Sequence, residues 1–460
     1  MTASNSTLDS RRVPPPVRSL LKTLRGAGRQ AYLVGGCVRD LARGESVTDW
    51  DVGTSARPDE VLRLFPGAVP TGLKHGTVTV VLGSGPCEVT TFRVEEGYSD
   101  ARRPDRVAFT DDLGLDLARR DFTVNAMAWD PIDGREVDPF QGRADLAARL
   151  LRAVGDPRTR FQEDGLRPIR AARFAATLEF EVEDATFAAL GEARDQVARV
   201  AAERLRDELL KMLRAANPSR GFEVLRRSGL LPLLLPELEA CVAVPQNRHH
   251  AYDVYFHTLH VTDAAPAEKP VVRLAALFHD MGKPLTRAEK ENGDATFYNH
   301  ERESARLAEE AMTRLKFSRE MTQRVVHLVR QHMFDYRPEW TDATVRRFVR
   351  TVGADNVADL FDLRIADNVG NGTKTGFPHY LGELADRIDL VLEAEEALSV
   401  RDLKVDGADV MRTLKLPPGP EVGRVLDRLL EDVLEEPSLN DRPKLLARMR
   451  EAFSIDTPGP

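Results

Sequence analysis

Two aspartates two positions apart, Asp49 and Asp51, are the residues whose type and spacing most directly predict chemistry. They lie in a short extended run. Side chains two apart on a strand point to the same face, so both carboxylates are expected to face one spot. Paired carboxylates repel each other unless a divalent cation lies between them, which predicts a metal site. A neighbouring phosphate would make Mg²⁺ the expected cation.

A phosphate site is predicted just upstream of these aspartates. The apolar run Tyr32-Leu33-Val34 ends in Gly35-Gly36, and Cys37 to Leu41 then has the pattern of the first turns of a helix. Glycine lets the backbone approach a ligand closely, and the unpaired N–H groups of a first helical turn attract phosphate. A phosphate site followed by a divalent-metal site predicts metal-assisted nucleotidyl transfer.

Composition limits the class of protein. A chain of 460 residues is expected to form two to four domains, and it contains no apolar run long enough to span a bilayer and no secretory segment. The cysteines, Cys37, Cys87 and Cys241, form no C-x-x-C pair, so reduced thiols in a soluble, cytoplasmic protein are expected. The net charge of −8 argues against indiscriminate coating of nucleic acid, although arginine clusters can still bind phosphates locally.

The succession of strand, Gly-Gly, helix and Asp-x-Asp resembles the DNA polymerase β superfamily of nucleotidyltransferases, in particular the bacterial tRNA CCA-adding enzymes and poly(A) polymerases. LARRDFTVNAMA, from Leu117 to Ala128, and the E-D-x-x-R sequence from Glu163 to Arg167 match further motifs of that family. The resemblance implies that Asp49 and Asp51 hold catalytic Mg²⁺ and that Glu88 completes the acidic cluster. It assigns nucleotide binding to Gly35, Gly36, Arg39, Arg120, Asp121, Asn125, Glu163, Asp164, Arg167, Arg170 and Arg173.

Nucleotide choice is expected to lie in Asp164 and Arg167, which would act as a protein substitute for a template base. Pro168 cannot lie deep in a helix, so the helix that carries Arg167 must begin within about a turn before it. Glu163 is then expected to orient Arg167, four residues further along that helix. In the alternative interpretation, Asp164 caps the helix and Arg167 merely binds phosphate.

A second set of residues suits a metal. Imidazole and carboxylate together bind borderline divalent cations, and the order H…HD…H…H…D resembles the HD superfamily of metal-dependent phosphohydrolases. The resemblance implies a second divalent-metal site in an HD domain. Its expected ligands are His257, His279, Asp280, His300, His332 and Asp367.

The expected fold class is α+β, with a small mixed-sheet nucleotidyltransferase head followed by an all-helical neck, the HD domain and C-terminal helices. The expected divisions are a disordered tail at 1–16, the head at 17–155, the neck for base recognition and RNA binding at 156–245, the HD domain at 246–400 and a C-terminal helical region at 401–460. Strands are expected at Thr77 to Leu82 and Glu88 to Phe92, and a full-length surface loop at 94–109. Gly419-Pro420 begins a helix that either meets an RNA phosphate or simply packs.

The resemblance implies template-independent addition of CCA to tRNA 3′ ends from CTP and ATP by two-metal nucleotidyl transfer. The segment from Thr71 to Val80 resembles the CCA-adding type, whereas a poly(A) polymerase shares the other head motifs. Partial addition of CC or A is a further alternative. In a different class, the head would be inert and the HD domain would act as a phosphohydrolase. The expected partners are tRNA, CTP and ATP, without a membrane, and the oligomeric state stays open.

Overall fold

The computed structural model describes residues 8–96, 106–247, 251–291, 294–373, 379–394 and 399–453. Internal contacts divide the chain into two units. The first contains residues up to 240 together with 311–317, and the second contains 241–310 and the residues from 318 onward. In the described part of the chain, no helix combines the length and the apolar character needed to cross a membrane.

The first unit begins with a head built on a mixed sheet. Its strands are β1 (Ala31–Val34), β2 (Trp50–Thr54), β3 (Val69–Gly72), β4 (Thr77–Leu82), β5 (Gly85–Thr91), β6 (Arg93–Glu96), β7 (Arg106–Phe109), β8 (Ala128–Asp130) and β9 (Arg135–Val137). Its helices are α1 (Pro15–Gly26), α2 (Gly36–Arg43), α3 (Pro58–Leu64), α4 (Leu113–Ala118) and α5 (Gly142–Ala148). Seven strands form one sheet in the order β3-β4-β5-β2-β1-β8-β9. The predicted mixed-sheet head is therefore confirmed.

The centre of this sheet places the acidic residues. Strand β2 runs parallel to β5 and antiparallel to β1, and the register sets Asp51 opposite Glu88. Alternate residues of β2 and β5, such as Val52 and Val89, enter the core, so the carboxylates face away from it. The core beneath the sheet is closed by the apolar stripe of α1.

The prediction of a disordered tail is wrong for residues 8–16. Residues 1–7 lie outside the described residues. Ser10–Arg12 forms a 3₁₀ turn that Asp9 caps, and α1 begins at Pro15, where the missing N–H costs nothing. Val13 is fully buried in the head core and Leu8 packs against it. Burial of these two apolar side chains orders a segment whose polar composition had predicted disorder.

The predicted loop at 94–109 is also wrong at its ends. Strands β6 and β7 pair antiparallel from Arg93 opposite Phe109 to Glu96 opposite Arg106. Backbone hydrogen bonds pair the two strands whatever their side chains are. Since a ribbon that faces solvent needs no alternation of apolar and polar residues, the polar sequence did not reveal these strands. The remainder of that predicted loop, 97–105, lies outside the described residues.

The rest of the first unit is helical, apart from two-residue strands β10 (Leu150–Leu151) and β11 (Glu181–Val182), which pair in parallel. The helices are α6 (Pro157–Glu163), α7 (Leu166–Leu178), α8 (Asp184–Glu192), α9 (Arg194–Ala198), α10 (Ala202–Leu213), α11 (Ser219–Arg227), α12 (Leu231–Leu234) and α13 (Pro236–Glu239). Helix α7 packs against α10 and α11 and is buried along most of its length.

The second unit is also mainly helical in its described residues, and β12 (Ala288–Glu289) pairs antiparallel with β13 (Ala295–Thr296). Its helices are α14 (Val254–Ala264), α15 (Pro270–Phe278), α16 (Lys283–Thr286), α17 (His300–Arg314, of which 311–314 belong to the first unit), α18 (Arg319–Gln331), α19 (Asp342–Val352), α20 (Ala354–Gly370), α21 (His379–Glu393), α22 (Gly407–Leu414), α23 (Pro420–Glu435) and α24 (Arg442–Ala452). The last three share a small core around Leu429 and Leu445. The boundaries proposed between domains stay predictions.

Candidate active site

One cleft of about 1010 Å³ in the first unit collects the residues that the head motifs predicted. Asp49, Asp51 and Glu88 line it from the sheet, and Arg167, Arg170 and Arg173 line it from α7. Of the residues predicted to be catalytic or nucleotide-binding, all but Gly35 and Glu163 contribute to its wall. The linear motifs, more than a hundred residues apart, thus meet at a single site.

The three carboxylates form an acidic cluster. Asp51 lies on β2 beside Glu88 of β5, and Asp49 immediately precedes β2. Burial, together with the charges of Glu88 and Asp49, raises the pKa of Asp51 to about 6 against the opposing charge of Arg120. A carboxylate that is costly to ionise alone, among other carboxylates in the wall of a cleft, fits a divalent cation such as Mg²⁺.

Gly35 has a backbone conformation that only glycine adopts easily, with φ +73°. A Cβ at this position would lie 2.5 Å from Nη1 of Arg120. Helix α2 starts at Gly36, and no side chain caps its first turn. The glycine pair therefore brings Arg120 against the start of a helix whose N–H groups suit an anion.

Asn125 and Asp40 fix Arg39, which faces the cleft from α2. Nε and Nη2 of Arg39 each donate to Asp40 at 2.8 Å, and Nη1 donates to Oδ1 of Asn125 at 2.7 Å. Asn125 in turn donates to Oδ1 of Asp121 at 3.1 Å. This chain of contacts holds the guanidinium in one orientation at the cleft wall.

Asp116 is a functional candidate that the sequence analysis missed. Its side chain is 3% exposed and accepts from Arg119 Nη2 at 2.8 Å and from Arg120 Nη2 at 3.4 Å. Arg119, Arg120 and the backbone N–H of Arg93 keep its pKa below the usual value although burial alone would raise it. The signal in the sequence was an acidic residue between two leucines of α4, a pattern that is also common on ordinary surface helices.

The predicted helix geometry around the E-D-x-x-R motif is wrong in one respect. Glu163 ends α6, Asp164 and Gly165 break the chain, and α7 begins at Leu166. Glu163 still accepts from Nη1 of Arg167, as expected, but across this break and not along one helix. Arg167 also donates to the carbonyl oxygens of Arg160 and Arg119, each at 2.9 Å.

Asp164 is held by a partner that the sequence analysis missed. Arg204 of α10 donates to it with two nitrogens, Nη1 to Oδ1 at 3.2 Å and Nη2 to Oδ2 at 2.8 Å. The N–H of Leu166 donates to Oδ1 at 3.0 Å, so Asp164 also supports the start of α7 as the alternative interpretation predicted. Its two roles are compatible because a carboxylate accepts about four hydrogen bonds.

Asp121 and Glu208 hold the remaining arginines. Arg170 donates to Oδ2 of Asp121 at 2.8 Å from Nε, and Arg173 donates to Oε2 of Glu208 at 2.5 Å from Nε. Burial of Asp121 raises the pKa of its carboxyl group, but the charge of Arg170 helps to keep that pKa well below the usual range. Glu208, 3% exposed, lies on the apolar face of α10 between Leu205 and Met212. An acid on an apolar helix face was the signal that could have revealed it.

The six residues predicted as HD-site ligands converge in the second unit. Nε2 of His257 lies 3.2 Å from that of His279, and Nε2 of His300 lies 3.3 Å from that of His332. Asp280 lies between the two pairs. Its Oδ2 is 3.2 Å from His257 and its Oδ1 is 3.2 Å from His300.

Backbone carbonyls orient the imidazoles. Nδ1 of His279, His300 and His332 lies 2.7, 2.7 and 2.6 Å from the carbonyl oxygen three residues earlier, so each Nε2 points inward. Asp367 lies 3.3 Å from Nε2 of His257. Two groups of ligand atoms, His257-His279-Asp280 and Asp280-His300-His332, are compact enough to hold a cation each.

The charges of this second site also suit cations. Burial opposes protonation of His257, but hydrogen bonds to Asp280 and Asp367 outweigh it and raise its pKa to about 9. Burial lowers the pKa of His332 to about 3. The two carboxylates therefore attract positive charge to one place while a neighbouring imidazole stays neutral and able to ligate.

Fold and site together define a nucleotidyltransferase with a polymerase-type head and an HD domain. Family models agree. The Poly A polymerase head domain matches residues 31–152, the probable RNA and SrmB-binding site of polymerase A matches 179–242, and the HD domain matches 248–372.

Comparison with whole proteins narrows the class. A CCA-adding enzyme of Lactococcus lactis is 32% identical over 436 residues, 94% of this chain and 96% of that protein. The CCA-adding enzyme of Lactobacillus helveticus is 47% identical over 45% of this chain and 51% of its own length. The other curated relatives that match over this region are likewise covered to about half of their length. The chain belongs to the CCA-adding enzyme family.

A solved structure supports the same family. The crystal structure of Bacillus stearothermophilus CCA-adding enzyme in complex with CTP has a TM-score of 0.74 and 27% identity. The superposition covers 96% of this chain and 98% of that one.

Proposed function

We propose that this chain adds CCA to the 3′ end of tRNA, using CTP and ATP without a nucleic-acid template. The observation that carries this proposal is the single cleft in which the acidic cluster of Asp49, Asp51 and Glu88 meets the arginines of α2 and α7 and the pair Asp164 and Arg167. Catalytic, triphosphate-binding and base-reading groups are thus within reach of one nucleotide. The CTP complex of the similar Bacillus stearothermophilus enzyme supports this assignment.

Asp49 and Asp51 would hold the metal, with Glu88 completing the cluster. When bound, two Mg²⁺ ions would activate the 3′ hydroxyl of the tRNA and neutralise the triphosphate. The chain itself contributes positioning and charge. The start of α2 and the side chains of Arg39 and Arg120 would bind the triphosphate and stabilise the departing pyrophosphate.

Hydrogen-bond capacity at Asp164 and Arg167 supports base reading. Among the described residues, Oδ2 of Asp164 receives only Arg204, so it can accept from the exocyclic amine of cytosine or adenine. Arg167 uses Nη1 and one Nη2 hydrogen internally, which leaves Nε–H and the other Nη2 hydrogen for ring nitrogen and carbonyl acceptors. Uracil and guanine would place a carbonyl against the carboxylate, at a cost of about 1–3 kcal/mol per opposed contact.

Product analysis tests the proposal. A tRNA that ends before CCA is incubated with CTP, with ATP and with both, and the products are resolved to single nucleotides. We expect two C residues with CTP alone and completion by one A when both are present. Long A tails would instead identify a poly(A) polymerase, and termination after CC would identify a partial enzyme. No extension under any of these conditions would contradict nucleotidyl transfer itself.

A second function is proposed for the second unit, where the two ligand groups share Asp280. Paired divalent cations on a shared carboxylate are suited to hydrolysis of phosphate esters, because they can bind the ester and activate water. Metal analysis of the purified chain should give up to two cations beyond those of the head, with release of phosphate from a phosphomonoester or a cyclic phosphodiester. Binding of no cation by wild type after loading with Mn²⁺, Ni²⁺ or Zn²⁺ would exclude this function.

A further inference from the structure

Phe174 lies at the centre of the cationic wall of the cleft, although its side chain can bind no phosphate itself. It belongs to α7, lines the cleft and is 4% exposed. The guanidinium carbons of Arg173, Arg170 and Arg39 lie 3.7, 5.3 and 5.4 Å from its ring centroid. One aromatic ring thus contacts three of the arginines that the proposed function assigns to the nucleotide.

Three guanidinium groups around one point repel each other. Asp40 pairs with Arg39 and Asp121 pairs with Arg170, while Glu208 pairs with Arg173 and also lies 3.9 Å from Arg170. An aromatic ring carries negative charge density on its faces and attracts cations without adding a formal charge. It can therefore hold the guanidinium groups together without a further carboxylate, whose negative charge would oppose a triphosphate.

The ring is itself fixed by the core. Phe122, which is fully buried, packs edge-to-face against Phe174 with ring centroids 5.7 Å apart and an interplanar angle of 80°. Arg39 comes from the head helix α2, whereas Phe174, Arg170 and Arg173 come from α7. The ring therefore connects arginines of separate helices to one rigid point.

We propose that Phe174 is a positioning residue for nucleotide binding, an aromatic anchor that preorganises Arg39, Arg170 and Arg173 for the triphosphate. This inference rests on the proposed function, because it takes the three arginines as triphosphate ligands. It extends that function in one respect, since the anchor should serve CTP and ATP equally and leave base choice to Asp164 and Arg167.

The test compares Phe174→Leu and Phe174→Met with Phe222→Leu, which removes a fully buried ring on α11 that does not line the cleft. Dissociation constants of CTP and ATP are measured by calorimetry, and thermal unfolding is recorded for each variant. We expect both Phe174 variants to bind both nucleotides about five- to thirtyfold more weakly, as the loss of desolvated cation–π contacts predicts. Phe222→Leu should lose comparable stability and keep both dissociation constants within about threefold of wild type.

Phe174→Tyr retains the ring and should restore nucleotide binding. Weakening by less than threefold in the Phe174 variants, or equal weakening in Phe222→Leu, would overturn the role of the ring. Because calorimetry needs no transfer, the two proposals fail separately. A wild-type chain that binds CTP but extends no tRNA would contradict only the proposed reaction, and one that binds no nucleotide would contradict both.

Discussion

Single carboxylates in the cleft carry charge at the expense of stability. Asp51 is partly buried beside two other carboxylates, and its raised pKa of about 6 measures how unfavourable its ionised form is in the folded chain. Since the pKa in the unfolded chain is lower, ionisation of Asp51 destabilises the fold at neutral pH. Residues whose charge opposes folding yet persists at a cleft are those expected to meet a ligand of opposite charge.

Replacement of Asp51 therefore should separate activity from stability. We expect Asp51→Asn to reduce nucleotide transfer roughly a thousandfold or more, since a metal ligand is lost. In the presence of a chelator the same variant should be about 1–3 kcal/mol more stable than wild type. Asp59→Asn, an exposed change beside Arg63 on α3, is the control and should alter neither property. Activity above a tenth of the wild-type value in Asp51→Asn would contradict the assignment.

Base choice is the second property that belongs to a single residue. We expect Asp164→Ala to let UTP or GTP gain relative to CTP by roughly tenfold or more, since the carboxylate that opposes their carbonyl group disappears. Asp156→Ala removes a helix cap on α6 that lies outside the cleft, where Asp156 accepts from the N–H of Thr159 at 3.1 Å. It should cost about 1 kcal/mol of stability and leave nucleotide choice unchanged. Incorporation assays with all four nucleotides distinguish the two. Uniform weakening in Asp164→Ala would show that its role is only structural.

At the scale of elements, the break between α6 and α7 places both base-reading residues. Gly165 occupies the break, and a Cβ there would lie 2.3 Å from the carbonyl oxygen of Gln196 and 2.5 Å from its carbon. These are backbone atoms, which cannot move aside as a side-chain tip can. Asp164 and Arg167 flank this close approach, so their positions depend on a residue without a side chain.

Gly165→Ala should therefore disturb the site through the backbone. We expect a loss of about 1–3 kcal/mol in the free energy of unfolding and a lower affinity for CTP, because α7 or α9 must shift. Gly26→Ala serves as the matched control, since Gly26 ends α1 with no atom near its missing Cβ and should gain slightly in stability. Denaturant unfolding and nucleotide titration of both variants provide the measurement. Wild-type stability in Gly165→Ala would show that the break is not constrained.

The elements differ in how far their sequences reveal them. TVTVVL alternates and forms β4 at the predicted residues, because one face of the strand is buried and the other exposed. The apolar spacing of α10 reveals the helix but not the partners of its polar residues. Arg204 contacts Asp164, 40 positions away, and Glu208 contacts Arg173, 35 positions away. Pro168 correctly placed the start of α7, yet nothing in the local pattern separates Glu163 from that helix.

At the scale of the whole molecule, an acidic chain concentrates arginine at one cleft. The net charge of −8 belongs to the full sequence, while the head cleft is lined by Arg39, Arg93, Arg119, Arg120, Arg167, Arg170, Arg173 and Arg204. Overall repulsion keeps nucleic acid from binding indiscriminately, and the local field attracts phosphates. Composition alone predicted the first property. The second required the fold, because these arginines come from helices and strands that are distant in sequence.

The two predicted metal sites use different chemistry within different units. The head offers a cluster of carboxylates, which suits Mg²⁺, whereas the second unit offers four imidazoles with Asp280 and Asp367, which suits borderline cations. Every described ligand of each set lies within one unit. Motif order alone predicted both ligand sets. It could not reveal that Asp280 lies between two histidine pairs, since that depends on how α14, α15, α17, α18 and α20 pack.

Chemical independence of the two sites is testable in the full chain. We expect His279→Ala combined with Asp280→Ala to abolish the cation binding and phosphoesterase activity of the second unit, because both ligand groups lose the shared carboxylate. CCA addition by this variant should stay within about threefold of wild type, since a lost metal ligand removes stabilisation only at its own site. His260→Ala, on the exposed side of α14 against Tyr252, controls for loss of a histidine from the second unit and should retain both activities. If the folded double variant lost CCA addition as fully as Asp51→Asn, the two sites could not be separate. Retention of phosphoesterase activity would instead show that Asp280 and its neighbours do not hold the catalytic cations.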